Sequence, residues 1–492
     1  MTSKPASRRA RAMTLAPRSC PSRPGLATTT RYRRCTGRNT RRMPPHPTQA
    51  EWDADLRGDN PLEWPDYKPP DTESVVTGRT EHYAFVEGRF DVMGGSMGAA
   101  HGEKVVRAYR RATEERLPMV VLPASGGARM QEGMVSLIQM ARTSSASAAH
   151  GRAGLLSLTF MRSPTTGGVY ASYASLADLR AAEPGATVGF AGPRVVELTT
   201  GARLPEGSHT AESAYENGLI DAVTADGGAW IDAALGLRDA PLAPRRFGGV
   251  FGHTTFDDSA WGEVEQARLP FRASGIDWAA RLCSSWTELR GVDPVVRAGL
   301  ATIEGGRVVV VAMDRHAADG RPRPEGYRLA QRAIALAGRL SLPLLTFIDT
   351  PGADPSASSE ADGVAGEIAR TFAAMAELPS TSVSVCVGEG GSGGALALAH
   401  ADRLLIQEHA VFSVIAPEGA AAILERDAGK APELAARLKL TSGDLLQLGI
   451  VDSVVAEPDP TGMRLAVVAA LNETTPGDRD RRVDRATARW IR

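Results

Sequence analysis

Glycine pairs carry the features of this sequence most open to a chemical reading. LTFMRSPTTGGVYAS holds Gly167 and Gly168, and VSVCVGEGGSGGALAL holds Gly390, Gly391, Gly393 and Gly394. In both, an apolar run leads through a polar loop into glycines and then small residues, the pattern of a buried strand feeding a helix. Glycine at such a junction lets the backbone approach a ligand closely. The first N–H groups of the helix have no partners within it and favour negative charge. The junction can therefore act as an oxyanion hole, binding an enolate or carbonyl oxygen with backbone amides alone. One such donor is worth roughly 3–4 kcal/mol in a transition state. A lone Gly-Gly is most often a tight turn, but two at matching places in a repeat point to chemistry.

The repeat is visible across the chain. Pro118 and Pro343 each precede an apolar run and are 225 residues apart. Gly126 in ASGGAR and Gly352 in TPGAD are 226 apart, as are Gly167 and Gly393. Pro193 and Pro417 are 224 apart, and GLID at 218 meets GIVD at 449, 231 apart. Five landmarks in one order imply two copies of one domain.

Other chemistries find little support. No Gly-x-x-x-x-Gly-Lys-Ser/Thr loop is present, no Gly-x-Ser-x-Gly elbow is expected, and Ser125 has no matched His and Asp partners. The nine histidines lack metal-ligand spacing, and Cys20, Cys35, Cys283 and Cys386 form neither a disulfide framework nor a Cys-x-x-Cys site, so no metal is predicted. Cys386, in VSVCV, reads as a small buried hydrophobe. Asp349 and Asp354 read as turn carboxylates at the end of a strand. A formal net charge of −1 gives no global field toward nucleic acid or membrane. No stretch approaches 18 apolar residues, so a transmembrane helix is not expected, and a reducing cytoplasm is the expected setting.

The elements that must position the glycines follow from periodicity. The first 50 residues are rich in Arg and contain no Asp or Glu, so they cannot build a core and are expected to be disordered. Three readings of that tail stay open: an overlong gene start with Met43 as the true first residue, an idle basic tail, or a transit peptide or nucleic-acid arm. In the first half, helices are expected over 102–116 and 130–148, the latter with Met134, Leu137 and Ile138 among its apolar positions, and over VYASYASLADL. Strands are expected at MVVLPAS, LLSLTF and TVGFAG. In the second half, an amphipathic helix is expected around Trp261–Arg268, and two strands around the Gly-Gly of ATIEGGRVVVVAMD. The rest reads as helix 325–340, strand 344–348, helix 360–376, strand 382–387, a helix from 393 and strand 411–415. Alternating strands and helices predict an α/β architecture in each half. The residues from 475 onward read as a polar, frayed tail.

With these motifs assembled, the chain resembles the carboxyltransferase of bacterial acetyl-CoA carboxylase. The first half is similar to its β subunit through MGGSMG at 93 with HGEK at 101, ASGGARMQEG, TTGGVYASYASLADL, EPGATVGFAGPRVVE and ENGLIDAV. The second half is similar to its α subunit through RPRPEGYR, LLTFIDTPGAD, VCVGEGGSGGALALA, VFSVIAPEGAAAIL and LGIVDSVV. The resemblance spans roughly residues 80–455 and implies a fusion of two tandem crotonase-like (ClpP/crotonase) domains of repeated ββα units. On that basis residues 1–70 form a disordered basic tail, 71–245 a β-type domain on the acyl-CoA side, 246–475 an α-type domain on the biotin side, and 476–492 a polar tail.

The resemblance implies transfer of a carboxyl group from N-carboxybiotin to acetyl-CoA, giving malonyl-CoA, with two oxyanion holes and no side-chain general base. It assigns Gly167 and Gly168 to the acyl-CoA and Gly393 and Gly394 to biotin. Gly126, Gly127, Ala128, Arg129 and Lys104 are expected beside CoA, with ordinary ion pairing an equal alternative for Arg129 and Lys104. Gly352, Gly390 and Gly391 are expected on the biotin side. Biotin would arrive on a separate biotin carboxyl carrier protein charged by a biotin carboxylase, since the chain has no Met-Lys-Met signal. A homo-oligomer is implied, and no membrane or nucleic-acid partner. The sequence departs from the family at Glu288–Asp293, at Asp314-Arg315 and at TPGADPS, and Cys20 and Cys35 cannot supply the four-cysteine zinc ribbon that usually begins the β subunit. The alternatives are a carboxyltransferase for propionyl-CoA or longer acyl-CoA, a malonyl-thioester decarboxylase, and a degenerate, non-catalytic assembly subunit.

Overall fold

The apolar runs of the two halves become two sheets of one topology. The computed structural model describes residues 46–201, 203–242, 257–488, 490 and 491. The Arg-rich segment through residue 45, with Cys20 and Cys35, and the expected domain boundary near 245 lie outside these.

The first sheet contains β1 (Ala50–Trp52), β2 (Val75–Arg79), β3 (Ala84–Gly88), β4 (Met119–Leu122), β5 (Ser157–Met161), β6 (Leu179–Ala182) and β7 (Ala222–Val223), side by side in that order. β1, β2 and β3 pair antiparallel; the remaining pairings are parallel. The second sheet contains β8 (Ser285–Leu289), β9 (Val296–Ile303), β10 (Gly306–Met313), β11 (Leu344–Thr350), β12 (Ser382–Gly391), β13 (Arg403–Gln407), β14 (Val411–Ser413) and β15 (Ser453–Val455). Their order is β8-β9-β10-β11-β12-β13-β15, with β14 beside β12. Again two antiparallel pairings precede the parallel ones.

The repeat is kept bond by bond. Ala84 N–H donates to Pro118 O and Val309 N–H to Pro343 O, both at 2.9 Å. Ser157 and Asp178 bond reciprocally through side chain and backbone, and Ser382 and Asp402 repeat the arrangement.

Parallel strands need cover on both faces, and alternation supplies it. In β4, Val120 and Leu122 enter one apolar cluster while Met119 and Val121 enter another. In β10, Val309, Val311 and Met313 oppose Val308, Val310 and Ala312 in the same way. The cluster holding Val120 and Leu122 also holds Val309 and Val311, so one core runs through both halves. The helices that bear on the sites are α1 (Ala99–Glu114), α2 (Gln139–Arg152), α3 (Gly227–Leu235), α4 (Pro324–Leu340), α5 (Val364–Glu377), α6 (Ser392–Ala399) and α7 (Arg479–Ala488). Among the described residues, no helix is long and apolar enough to cross a membrane.

Several expectations need correction. The expected tail through residue 70 overlaps β1, whose pairing with β2 extends the first sheet at its edge; Tyr67 is also buried, bonding Glu132 at 2.7 Å. The expected helix 130–148 is broken into a 3-10 turn at Met130–Glu132, a short helix Gly133–Leu137 and α2. Met134, Leu137 and Ile138 are 66%, 45% and 50% exposed, so their apolar spacing does not mark a core face. The helix expected through VYASYASLADL ends at Ala174, after a wide turn around Ser172 (φ −135°, ψ −122°), and Leu179 opens β6. TVGFAG contributes only the pairing of Val188–Gly189 with Thr165–Thr166. The expected frayed C-terminus forms α7, where Arg479 and Arg482 are buried.

Candidate active site

Two strand-to-helix junctions gather most of the glycines singled out by sequence. At the first, Gly127 (φ 119°) and Gly167 (φ 60°) lie backbone against backbone. A Cβ on Gly167 would stand 2.8 Å from Gly127 Cα, and one on Gly127 would stand 3.1 Å from Gly167 Cα. Positive φ strains any side chain at either position, and a Cβ on Gly167 would also have to push the Gly127 backbone aside. Gly127 N–H donates to Ser125 Oγ at 3.0 Å, so Ser125 anchors the loop. Gly126 N–H donates to Gly94 O at 2.9 Å, tying the MGGSMG segment to the same loop. Gly167 N–H donates to Phe190 O at 2.8 Å, so its contribution is conformational. Gly168 follows as the second helical residue, where an N–H has no partner within its own helix. Ala128 lies beside it: a Cβ on Gly168 would meet the Ala128 Cβ at 3.6 Å.

Arg129 and Lys104 depart from the expected CoA contacts. Arg129 is fully buried, bonded to Glu73 and, at 2.9 Å, to Glu132. Burial opposes its charge, but the bonds to Glu73 outweigh this and hold the guanidinium above its ordinary range. Its charge is satisfied internally and is not available to a phosphate. Lys104 on α1 is 3% exposed, and burial lowers its pKa. The Arg129 network continues through Ser74 to His101, whose Nδ1 is 2.8 Å from Ser74 Oγ and whose Nε2 is 3.0 Å from Tyr173 OH. Burial pushes the His101 imidazole down to about 3, so it stays neutral. These contacts tie the Gly127 loop to the segment after Gly168.

The second junction repeats the first with different side chains. Gly352 has φ 130°, and its N–H donates to Thr350 Oγ1 at 3.0 Å, matching Gly127 and Ser125. A Cβ on Gly391 would collide with the Pro351 carbonyl. Gly390 lies within β12, where a Cβ would strike the Phe412 ring. Gly393 and Gly394 follow Ser392 in the first turn of α6; a Cβ on Gly393 would meet nothing within 4 Å.

A different set of charged side chains surrounds this junction. Asp349, at the position of Ala124, is fully buried, and burial raises its carboxyl to about 7. Arg315 lies 3.7 Å from Asp349 and 3.6 Å from Glu389. Arg268 bonds Glu389 at 2.7 Å and Glu418 at 2.5 Å. Arg315 of the Asp314-Arg315 departure thus stands within ion-pair distance of this cluster. Glu288 is likewise paired with Arg297 at 2.6 Å.

The expectation that no Gly-x-Ser-x-Gly elbow is present needs correction, and Ser392 was missed with it. Matching glycine to glycine set Gly167 against Gly393, but the left-handed residue matching Gly167 is Ser392, also at φ 60°. The string Gly390–Gly394 is a Gly-x-Ser-x-Gly pattern at a strand-to-helix turn, a signal that could have found it. No group of three or more metal-ligating side chains occurs among the described residues.

The chain matches two protein families. Residues 42–231 match "Carboxyl transferase domain" and residues 253–473 match "Acetyl co-enzyme A carboxylase carboxyltransferase-like". It is 42% identical over 422 residues to the acetyl-coenzyme A carboxylase carboxyl transferase subunits beta/alpha of Salinispora arenicola, covering 79% of this chain and 73% of that protein. It is 41% identical over 404 residues to a probable biotin-dependent acyl-coenzyme A carboxylase beta3 subunit of Mycobacterium tuberculosis, covering 79% and 81%. The solved transcarboxylase 12S hexamer superposes with a TM-score of 0.70 at 23% identity, covering 83% of each chain, which shows a common fold.

Proposed function

Because the chain belongs to the biotin-dependent carboxyltransferase family, with β-type and α-type domains in one polypeptide, we propose that it is the carboxyltransferase component of an acetyl-CoA carboxylase. It transfers a carboxyl group from biotin, borne on a separate carrier protein, to acetyl-CoA. The observation that carries this reading is the pair of strand-to-helix junctions at matching places in the two halves. Carboxyl transfer puts negative charge on two oxygens, one on the thioester and one on the cyclic urea, and two amide-lined junctions meet that requirement.

At the first junction, the Gly168 amide, preorganised by Gly167 and the Ser125-anchored loop, stabilises the thioester oxygen as the α-carbon gives up its proton, which the decarboxylated biotin urea would accept. Gly126, Gly127 and Ala128 admit the acyl-CoA by keeping side chains away from it. At the second, the Gly393 and Gly394 amides face the urea oxygen, and Gly352 with Gly391 holds the loop against α6. Biotin supplies a carrier for the activated carboxyl group; the residues here fit it through the open space at Gly393. Biotin carboxylase and the carrier protein are partner subunits, the chain works as a homo-oligomer, and the setting is the cytoplasm.

A wider acyl-CoA range is the second reading, favoured by the similarity to an acyl-coenzyme A carboxylase subunit. Purified protein assayed in reverse, with free biotin and either malonyl-CoA or methylmalonyl-CoA, separates the two. Transfer from malonyl-CoA is expected. Transfer from methylmalonyl-CoA alone would reassign the substrate, and no transfer from either would overturn the function.

A further inference from the structure

Ser392 is the one hydroxyl-bearing residue in the string Gly390–Gly394, and it occupies a left-handed backbone position. Its φ of 60° equals that of Gly167 in the first half. A residue with a Cβ is disfavoured there, and non-glycine residues held in this region cluster at functional sites. Ser392 is exposed at the start of α6. Beside it, the space off Gly393 is open to 4 Å. The Tyr327 hydroxyl is fully buried, has no hydrogen-bond partner among the described residues, and would stand 2.6 Å from a Cβ on Gly394. Two hydroxyls without partners among the described residues therefore flank the first turn of α6, one exposed and one enclosed. No imidazole is bonded to Ser392 among the described residues, so the turn presents a donor and not an activated nucleophile.

We propose that Ser392 is a catalytic residue of the second junction, donating a hydrogen bond to the urea oxygen that gains negative charge as the carboxyl group leaves biotin. The Ser392 hydroxyl makes no covalent bond and keeps its proton; the electron pair released by the departing carboxyl group stays on the urea, where the hydroxyl and the α6 amides share it. The first junction has glycine at this position, so only one of the two oxygens receives a side-chain donor. The proposal rests on assigning the second half to biotin.

Ser392→Gly and Ser392→Ala test it by reverse transfer from malonyl-CoA to free biotin. Glycine relieves the backbone, so Ser392→Gly should melt at or above the wild-type temperature. Both variants should lose about 100-fold in kcat, with the KM for malonyl-CoA unchanged. Wild-type kcat in Ser392→Gly would overturn the proposal, even if Ser392→Ala were impaired, because the conformation and not the hydroxyl would then be what matters. Absence of transfer by the wild-type protein would instead overturn the functional assignment on which it rests.

Discussion

The parallel edges of the two sheets carry the same carboxylates but answer them differently. In the first half, Asp178 binds Ser157, and Asp221 accepts from Arg180 N–H at 2.8 Å. In the second, Asp402 binds Ser382, and Asp452 accepts from Leu404 N–H at 2.7 Å. The cations differ in origin. Arg339 and Arg332 on α4 reach across from the second half to Asp178 and Asp221. Arg479 and Arg482 on α7 close the second edge from the chain's own terminal helix. One edge is thus a dock for the other half, and its counterpart is sealed. A second pair repeats with its charges exchanged: Glu103 with Arg142, and Arg328 with Glu367, each 225 residues from its counterpart. Duplicated domains keep the carboxylates that anchor their strands, while the partners diverge with the surface each edge must meet.

Breaking the sealed edge should have the largest effect. Asp402 and Arg479 are 0% and 1% exposed, and removing one member of a buried pair leaves an uncompensated charge. Asp402→Ala should cost about 3–5 kcal/mol in urea denaturation. Asp178→Ala should cost less, about 1–2 kcal/mol, because Arg339 is 27% exposed and water can solvate it. Equal losses would show that the two edges are energetically alike.

Gly168→Ala sharpens the comparison of sites. The added Cβ meets Met140 Sδ at 3.1 Å, a flexible neighbour, so the fold should persist. Alanine keeps the amide but crowds it against Ala128, and an oxyanion displaced by about 1 Å should lower malonyl-CoA-dependent carboxylation of biotin about 100-fold. Retention of rate would remove Gly168 from the site.

Asp349 distinguishes the junctions by pH. Its proton is held to about pH 7 in the folded state but is released near 3.8 when unfolded. Between pH 4 and 7 the unfolded state therefore binds fewer protons, and this group's contribution to stability falls as pH rises. Relative to Asp349→Asn, the wild-type protein should lose stability across that window and run parallel to the variant above about pH 8. A flat difference would mean that Asp349 is ionised throughout.

The exchanged pairs should matter least. Arg142 and Arg328 are 41% and 43% exposed. Double-mutant cycles at Glu103/Arg142 and Arg328/Glu367 should each give about 0.5 kcal/mol or less, fading in high salt. A larger coupling at either pair would mark it as part of a buried contact.

How much was legible depended on the range of the information. The glycine junctions and the periodic helix α4 are local patterns, readable from neighbouring residues; the Gly-x-Ser-x-Gly string is equally local but was passed over because glycine was matched to glycine. β6 was hidden because the apolar run through Leu179 continues a helical pattern; its strand identity comes from pairing with β5 and β7. The role of Arg129 was hidden because Glu73 lies 56 residues away in the chain.

The sequence by itself determined the repeat, the α/β layering and the places where backbone must approach backbone, because these follow from apolar period and from glycine's missing Cβ. Tertiary structure alone decided which charges face inward, which edge receives the other half, and that Ser392, not Gly393, takes the left-handed position. Burial and dihedral angle are set by contacts between residues distant in the chain, and a one-residue shift in the repeat offset is enough to change which side chain stands at the site.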